Sequence, residues 1–217
     1  MAVRIHPTAI IEQAVSLGDG TNVWDNAHIR HGAQLGEQCI VGGKSYIAYD
    51  VRIGNRVKIN SAAYICNAVT IEDGVMISAG VIFTNDCYPR ATTGDLTTPR
   101  ASAPDEHTLP TLVCEGATIG AGAIIGCNLI IGRFAMVGMG SVVTSSVSEF
   151  HLVVGNPARS IGCVCRCGQP LVKWTEIEAG APSCFVACTA CGLEYEIRDR
   201  HVLERTPSPE CLPLTGG

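Results

Sequence analysis

The sequence predicts an all-β chain: a parallel β-helix of hexapeptide repeats with an extruded loop and a small C-terminal zinc-ribbon-like module. Three observations predict it. An aliphatic residue recurs every six positions, one long segment breaks that period, and cysteines crowd toward the C-terminus.

The period runs without a miss from Ile5 through Ile11, Leu17, Val23 and Ile29 to Ile77 and Phe83, then restarts at Val113 and continues to Val143. Four residues after each aliphatic comes a small or β-branched one, such as Ala9, Ala27, Cys39, Val57, Ala123 or Ser141. A period of six matches neither a helix at 3.6 nor simple strand alternation. It matches short strands joined by tight corners and stacked three hexads to a coil, with the aliphatic residue filling the prism. Corners such as Gly18-Asp19-Gly20 and Gly54-Asn55-Arg56 are expected to use glycine and asparagine for permissive backbone angles.

Composition agrees and excludes several classes. Of the 217 residues, 47% are hydrophobic but only 5% aromatic, which suits an interior too narrow for rings. A net charge of −5 with no basic stripe argues against nucleic acid as a partner. The uncharged stretch from Gly116 to Gly132 is glycine-rich and shorter than the roughly 20 apolar residues of a membrane span, so no membrane is expected. The N-terminus lacks a basic segment followed by an apolar one, so no signal peptide is expected and the cytoplasm is the expected compartment. The 12 cysteines suit that compartment if most are core thiols or metal ligands.

Residues 84–112 cannot be tiled into hexads and are rich in Thr, Pro and charge. A loop of this length inside a regular stack is usually functional. With 18 residues per coil, His31, Tyr49, Asn67 and Asn85 fall in one column, a polar ladder on one corner beneath the start of the loop.

The elements VIFTNDCYPRA, TLV-x-x-GATIGAGA, GxGSVV and VVGNPAR extend the comparison. Together they resemble the hexapeptide-repeat acyltransferase superfamily, and within it the nucleotide-sugar N-acetyltransferases that acetylate a 3-amino sugar. The resemblance covers residues 3 to 162 and implies a left-handed helix, a homotrimer, acetyl-CoA as cosubstrate and a nucleotide-linked (dTDP or UDP) amino sugar as acceptor. Handedness rests on the resemblance alone, since parallel crossovers are usually right-handed. Gamma-class carbonic anhydrases share this fold and bind zinc through histidines on adjacent coils. Here Tyr46 and Tyr49 lie one coil above His28 and His31, so that catalytic zinc is not expected.

Acetyl transfer to an amine needs a neutral amine, a positioned thioester and donors for the oxyanion. Asn85 matches the family's site asparagine; an amide cannot be a base but can hold an amine hydrogen. Asp86 is a candidate proton acceptor or a turn cap, and His107 in the loop is a second candidate base. His31, Tyr49, Asn67, Tyr88 and Arg90 are candidate substrate contacts, Arg90 for its bidentate fit to phosphate. For coenzyme A, the resemblance points to the corners at Gly122-Ala123 and Gly140-Ser141 and to Arg159. A rival reading is a non-catalytic repeat protein whose tail is a binding module, or an acyltransferase for a non-sugar acceptor.

The tail opens a second module. Cys165-Arg166-Cys167-Gly168 and Cys188-Thr189-Ala190-Cys191-Gly192 form two knuckles, each closed by glycine and followed by a strand-like segment. Paired cysteines of this kind predict tetrahedral zinc held by Cys165, Cys167, Cys188 and Cys191, with Cys163 an alternative to Cys165 and Cys184 a spare. Such a closed site is structural and would supply the module's folding free energy. The expected division is 1–162 for the β-helix, 163–205 for the module and 206–217 for a disordered tail.

Overall fold

A computed structural model of the chain describes residues 2–177 and 183–205. The expected tail at 206–217 lies outside the described residues.

Two-residue strands at six-residue intervals wind through three sheets, A, B and C. Arg4–Ile5 pairs in parallel with Asn22–Val23, and Asn22 and Val23 pair with Ile40 and Val41, so one coil is 18 residues. The described residues contain no α-helix and no helix that is long and apolar enough to cross a membrane.

Both members of the hexad point inward. Ile29, Ile47, Ile59 and Ile65 are 0% exposed, and so are Ala27, Ala33, Cys39 and Val57. Polar residues at the small position keep their hydroxyls satisfied on the next coil: Thr21 Oγ1 donates to Gly36 O, and Ser45 Oγ to Asn60 O. In the first described coil Ile5 is exposed.

The corners differ from expectation. The positive-φ residue is the third of each corner, and it is often not glycine: Asn26, Gln38, Lys44, Asp50, Arg56 and Ala62 all sit there, with φ of 53–60°. At Gly54-Asn55-Arg56 the left-handed residue is therefore Arg56, with φ 55°. Gly54 meets a different demand, because a Cβ there would collide with Glu72 and Asp73 of the next coil. Stacking of the coils imposes the left-handed angle whatever the residue, at about 1 kcal/mol for each non-glycine.

Across the loop the register jumps. Met76 pairs with Thr118 and Ile82 with Ile124, a separation of 42 residues in place of 18, so 24 residues leave the stack and the coils resume above them. At the C-terminal end, strand His151–Gly155 joins sheet A, and the chain then turns antiparallel through Ala158–Val164 and Pro170–Lys173. The expected boundary at 162/163 thus falls inside a strand. A three-stranded antiparallel sheet, Cys184–Ala187, Glu194–Arg198 and His201–Glu204, completes the module.

The module has its own small core of Phe150, Cys163, Leu193, Tyr195 and Ile197, and Phe150 stacks on Phe134 of the last coil. A hydrogen-bonded chain ties it further: Trp174 Nε1 donates to Ser160 Oγ, which bonds His151 Nδ1, while His151 Nε2 bonds the Arg200 carbonyl. The module covers the end of the stack.

Candidate active site

The corner between sheets B and C carries the polar column. The His31 and Tyr49 rings stack at 5.3 Å and 4°, and the Asn85 side-chain amide donates to Asn67 Oδ1. Asn67 is 8% exposed, so its amide is held rather than solvated. The column does not end at Asn85. The shifted register pairs Phe83 with Ile125, which stacks Cys127 over Asn85.

Beside Asn85 the loop is closed at its root. Leu109 N donates to Asn85 O at 3.0 Å, and Asp86 forms an antiparallel bridge with Thr108. Asp86 Oδ1 accepts the Tyr88 N–H at 2.8 Å, the turn-capping geometry, and Oδ2 faces the Arg100 guanidinium at 3.6 Å. Arg100 also bonds Asp105 at 3.0 Å and the Tyr88 carbonyl at 3.1 Å, folding the loop over the column. The His107 N–H and the Arg100 guanidinium hold the Asp105 carboxyl below its usual range. Tyr49, Asn67, Asn85, Asp86, Arg90 and Arg100 line the resulting cleft of about 310 Å³.

His107 and Tyr88 do not join that lining. Their rings meet edge to face at 6.0 Å outside it, and Tyr88 is 72% exposed. Asp105 Oδ1 accepts the His107 N–H at 2.8 Å, closing the turn that carries it. Among the expected coenzyme contacts, Gly122 and Gly140 occupy the corner between sheets A and B at φ 68° and 66°, with open space beside them. Ala123 and Ser141 turn their side chains into the prism, 0% and 1% exposed, and Ser141 Oγ accepts the Gly155 N–H, so what these two residues offer at the corner is backbone. Arg159 lines a separate 300 Å³ pocket with His151 and Ser160. The two corners flank opposite edges of sheet B, so one chain does not bring Asn85 and the glycine corner together.

Sequence reasoning missed Glu12, Arg30, Arg100, Cys87 and Cys127. Glu12 accepts the His31 N–H and pairs with His31 Nδ1, His28 Nε2 and Arg30 Nε. The His31 N–H bond, with the side-chain bonds from Arg30, His28 and His31, lowers its carboxyl to about 2. Coil arithmetic contained the signal, since Glu12 is one coil below Arg30. Arg100 had no such signal, because the loop obeys no register.

In the module, the Sγ atoms of Cys165, Cys167, Cys188 and Cys191 lie within 4.8 Å of one another. Cys165–Cys191 and Cys167–Cys188 are 3.4 and 3.6 Å apart, near the roughly 3.8 Å edge of a tetrahedral four-sulfur zinc site. Burial pushes the Cys188 thiol up, but the N–H groups of Cys191 and Ala190 outweigh it and the thiol falls to about 7. Cys163 lies outside this cluster, and burial raises its thiol to about 11.

Comparison with known proteins follows this geometry. Residues 14–49 match the family described as bacterial transferase hexapeptide (six repeats). The coils carry the same 18-residue register beyond that match, on both sides of the loop. The chain therefore carries hexapeptide-type repeats along its coils. The repeat chain is 38% identical over 89 residues to dTDP-3-amino-3,6-dideoxy-alpha-D-galactopyranose 3-N-acetyltransferase of Aneurinibacillus thermoaerophilus. That alignment spans 41% of this chain and 42% of the relative. Among solved structures, PerB from Caulobacter crescentus, in complex with CoA and GDP-perosamine, aligns over 75% of this repeat chain and 58% of its own, at 22% identity and a TM-score of 0.44. WeeI from Acinetobacter baumannii aligns over 71% and 55%, at 27% identity and a TM-score of 0.46.

Proposed function

We propose that this repeat protein is an acetyl-CoA-dependent N-acetyltransferase acting on the 3-amino group of a nucleotide-linked (dTDP or UDP) amino sugar. The observation that carries the reading is the Asn67–Asn85 amide pair at the floor of a polar cleft walled by Arg90 and Arg100. The curated relative, a 3-N-acetyltransferase of a dTDP-linked amino sugar, supports it.

Because the Asn85 nitrogen is committed to Asn67, its Oδ1 is the atom that accepts an amine hydrogen and aims the lone pair. The amine attacks the thioester carbonyl, the C–N bond forms and the C–S bond breaks. The amine's proton leaves through Asp86 or water to the thiolate. Arg90 and Arg100 offer positive charge for a pyrophosphate. With coils about 4.8 Å apart, the His31–Tyr49 pair extends roughly 14 Å down the same corner, within reach of a nucleotide.

Coenzyme A is assigned to the Gly122 and Gly140 corner of a neighbouring copy in a homotrimer. The outer face of sheet B supports that assembly, since Tyr64, Ile82 and Ile124 on successive coils form an apolar ridge 38–44% exposed. Packing copies on this ridge sets one copy's Asn85 corner against the next copy's glycine corner. The four-cysteine cluster is assigned one structural zinc, whose module caps the stack.

The test is a thiol-release assay with acetyl-CoA over a panel of nucleotide-linked amino sugars. Release that requires a 3-amino group is expected; no release with any amino sugar rejects the reading in favour of a non-catalytic repeat protein.

A further inference from the structure

The residue stacked above Asn85 is Cys127, and it is disulfide-bonded to Cys87, two residues beyond Asn85, with Cα atoms 6.3 Å apart. Asn85 is therefore bounded on three sides. Asn67 takes its amide from below, Leu109 N–H holds its carbonyl, and the bridge ties the chain just after it to the coil above. The bridge joins segments 40 residues apart in sequence, and it is the covalent link between the loop's root and the resumed stack. The non-covalent ties include the Thr84 N–H and hydroxyl bonds to Ile125 O, the Leu109–Asn85 backbone hydrogen bond, the Asp86–Thr108 bridge and the Arg100 ion pairs.

Two further features bear on what the bridge does. Cys87 is an exposed residue and Cys127 is half-buried, so Cys87 is the more accessible partner of the bridge. Cys66, which precedes Asn67 on this corner, is buried, and burial pushes its thiol up to about 12. It carries no thiolate at neutral pH and does not exchange with the bridge from within.

We propose that the Cys87–Cys127 disulfide is a reversible positioning clamp on the candidate site. Closed, it holds Asn85 and Asp86 beneath the loop; opened by a dithiol reductant, it releases the root of the loop and the cleft loses its shape. In the opening step a thiolate of the reductant attacks Cys87 Sγ, the S–S bond breaks and Cys127 leaves as a thiolate that takes a proton. The reductant's second thiol resolves the mixed disulfide, giving two protein thiols and one oxidised dithiol, a transfer of two electrons and two protons. The catalytic consequence rests on the acetyltransferase reading; the mechanical one does not.

The test uses the full zinc-loaded chain, as purified under air and after treatment with dithiothreitol. Peptide mapping of the untreated protein is expected to find Cys87 linked to Cys127. Amide exchange over residues 85–110 should rise about tenfold on reduction, because the segment then opens locally. Cys87→Ser and Cys127→Ser should each show the faster exchange in both conditions, while Cys114→Ser responds like the parent chain. For an amino-sugar substrate, KM for the acceptor should rise about tenfold on reduction with KM for acetyl-CoA unchanged, and reoxidation should restore it. Absence of the link, or exchange that ignores reduction, overturns the clamp. Exchange that responds in a protein that acetylates no amino sugar upholds the clamp and rejects the acetyltransferase reading.

Discussion

At the scale of single residues, the site depends on what each polar atom has left to give. An Asn85 side-chain N–H donates to Asn67, so in the proposed reaction its oxygen is the atom left to meet an amine. Asn85→Ala is expected to lower kcat by about 10²–10³ with little change in coenzyme A affinity, checked by steady-state kinetics and calorimetry. Asp86 is shared between the Tyr88 N–H and Arg100, which places a positive charge beside the expected base. His151 shows the same economy at the capped end. Its Nε2 proton goes to the Arg200 carbonyl, its Nδ1 faces Ser160, and burial lowers its pKa. A histidine whose folded pKa is depressed binds its proton more readily unfolded, so its contribution is full above about pH 6.5 and is lost as pH falls below it. Thermal melts should show stability dropping from pH 7.5 to 5.5, with a shallower drop in His151→Gln.

At the scale of elements, a corner or knuckle is satisfied by its neighbours more than by its own sequence. Ala62 holds φ 60° although it has a Cβ, because its N–H is fixed on Gly43 O of the coil below. Ala62→Gly should therefore stabilise by up to about 1 kcal/mol in denaturant titrations, by relieving the left-handed angle. The opposite change inside the prism is costly. Ile65 is fully buried, and Ile65→Ala should destabilise by about 2–5 kcal/mol in the same titrations. In the module, metal analysis is expected to give one zinc per chain. Cys188→Ser with Cys191→Ser should lose the metal and lower the melting temperature, since the small core around Tyr195 is too slight to hold the module alone.

For the whole molecule, the decisive feature is that the amide column and the glycine corner lie on opposite edges of sheet B. A single chain leaves the two corners apart; in the proposed trimer, copies packed through the exposed Tyr64 and Ile82 would join them. Light scattering should report a trimer, and Tyr64→Glu with Ile82→Glu should yield monomers that have lost acetyl transfer. A stable, fully active monomer would contradict this assembly.

The sequence by itself determined the coil. Six-residue periodicity is a local property, so Ile29, Ala33 and their equivalents announce which side chains enter the prism, and multiples of 18 place His31, Tyr49, Asn67 and Asn85 in one column. The four cysteines of the knuckles were legible for the same reason, because spacing within each pair is local. The loop was not. With no period to carry register across 24 extruded residues, nothing in the chain said that Cys127 lands on Asn85, that Arg100 folds back to Asp86, or that His107 pairs with Tyr88 outside the cleft lining. The inward aim of the Ala123 and Ser141 side chains was written in their hexad positions. Only tertiary structure decided where the loop closes, because contacts between segments of unrelated register follow from packing and hydrogen bonding in space.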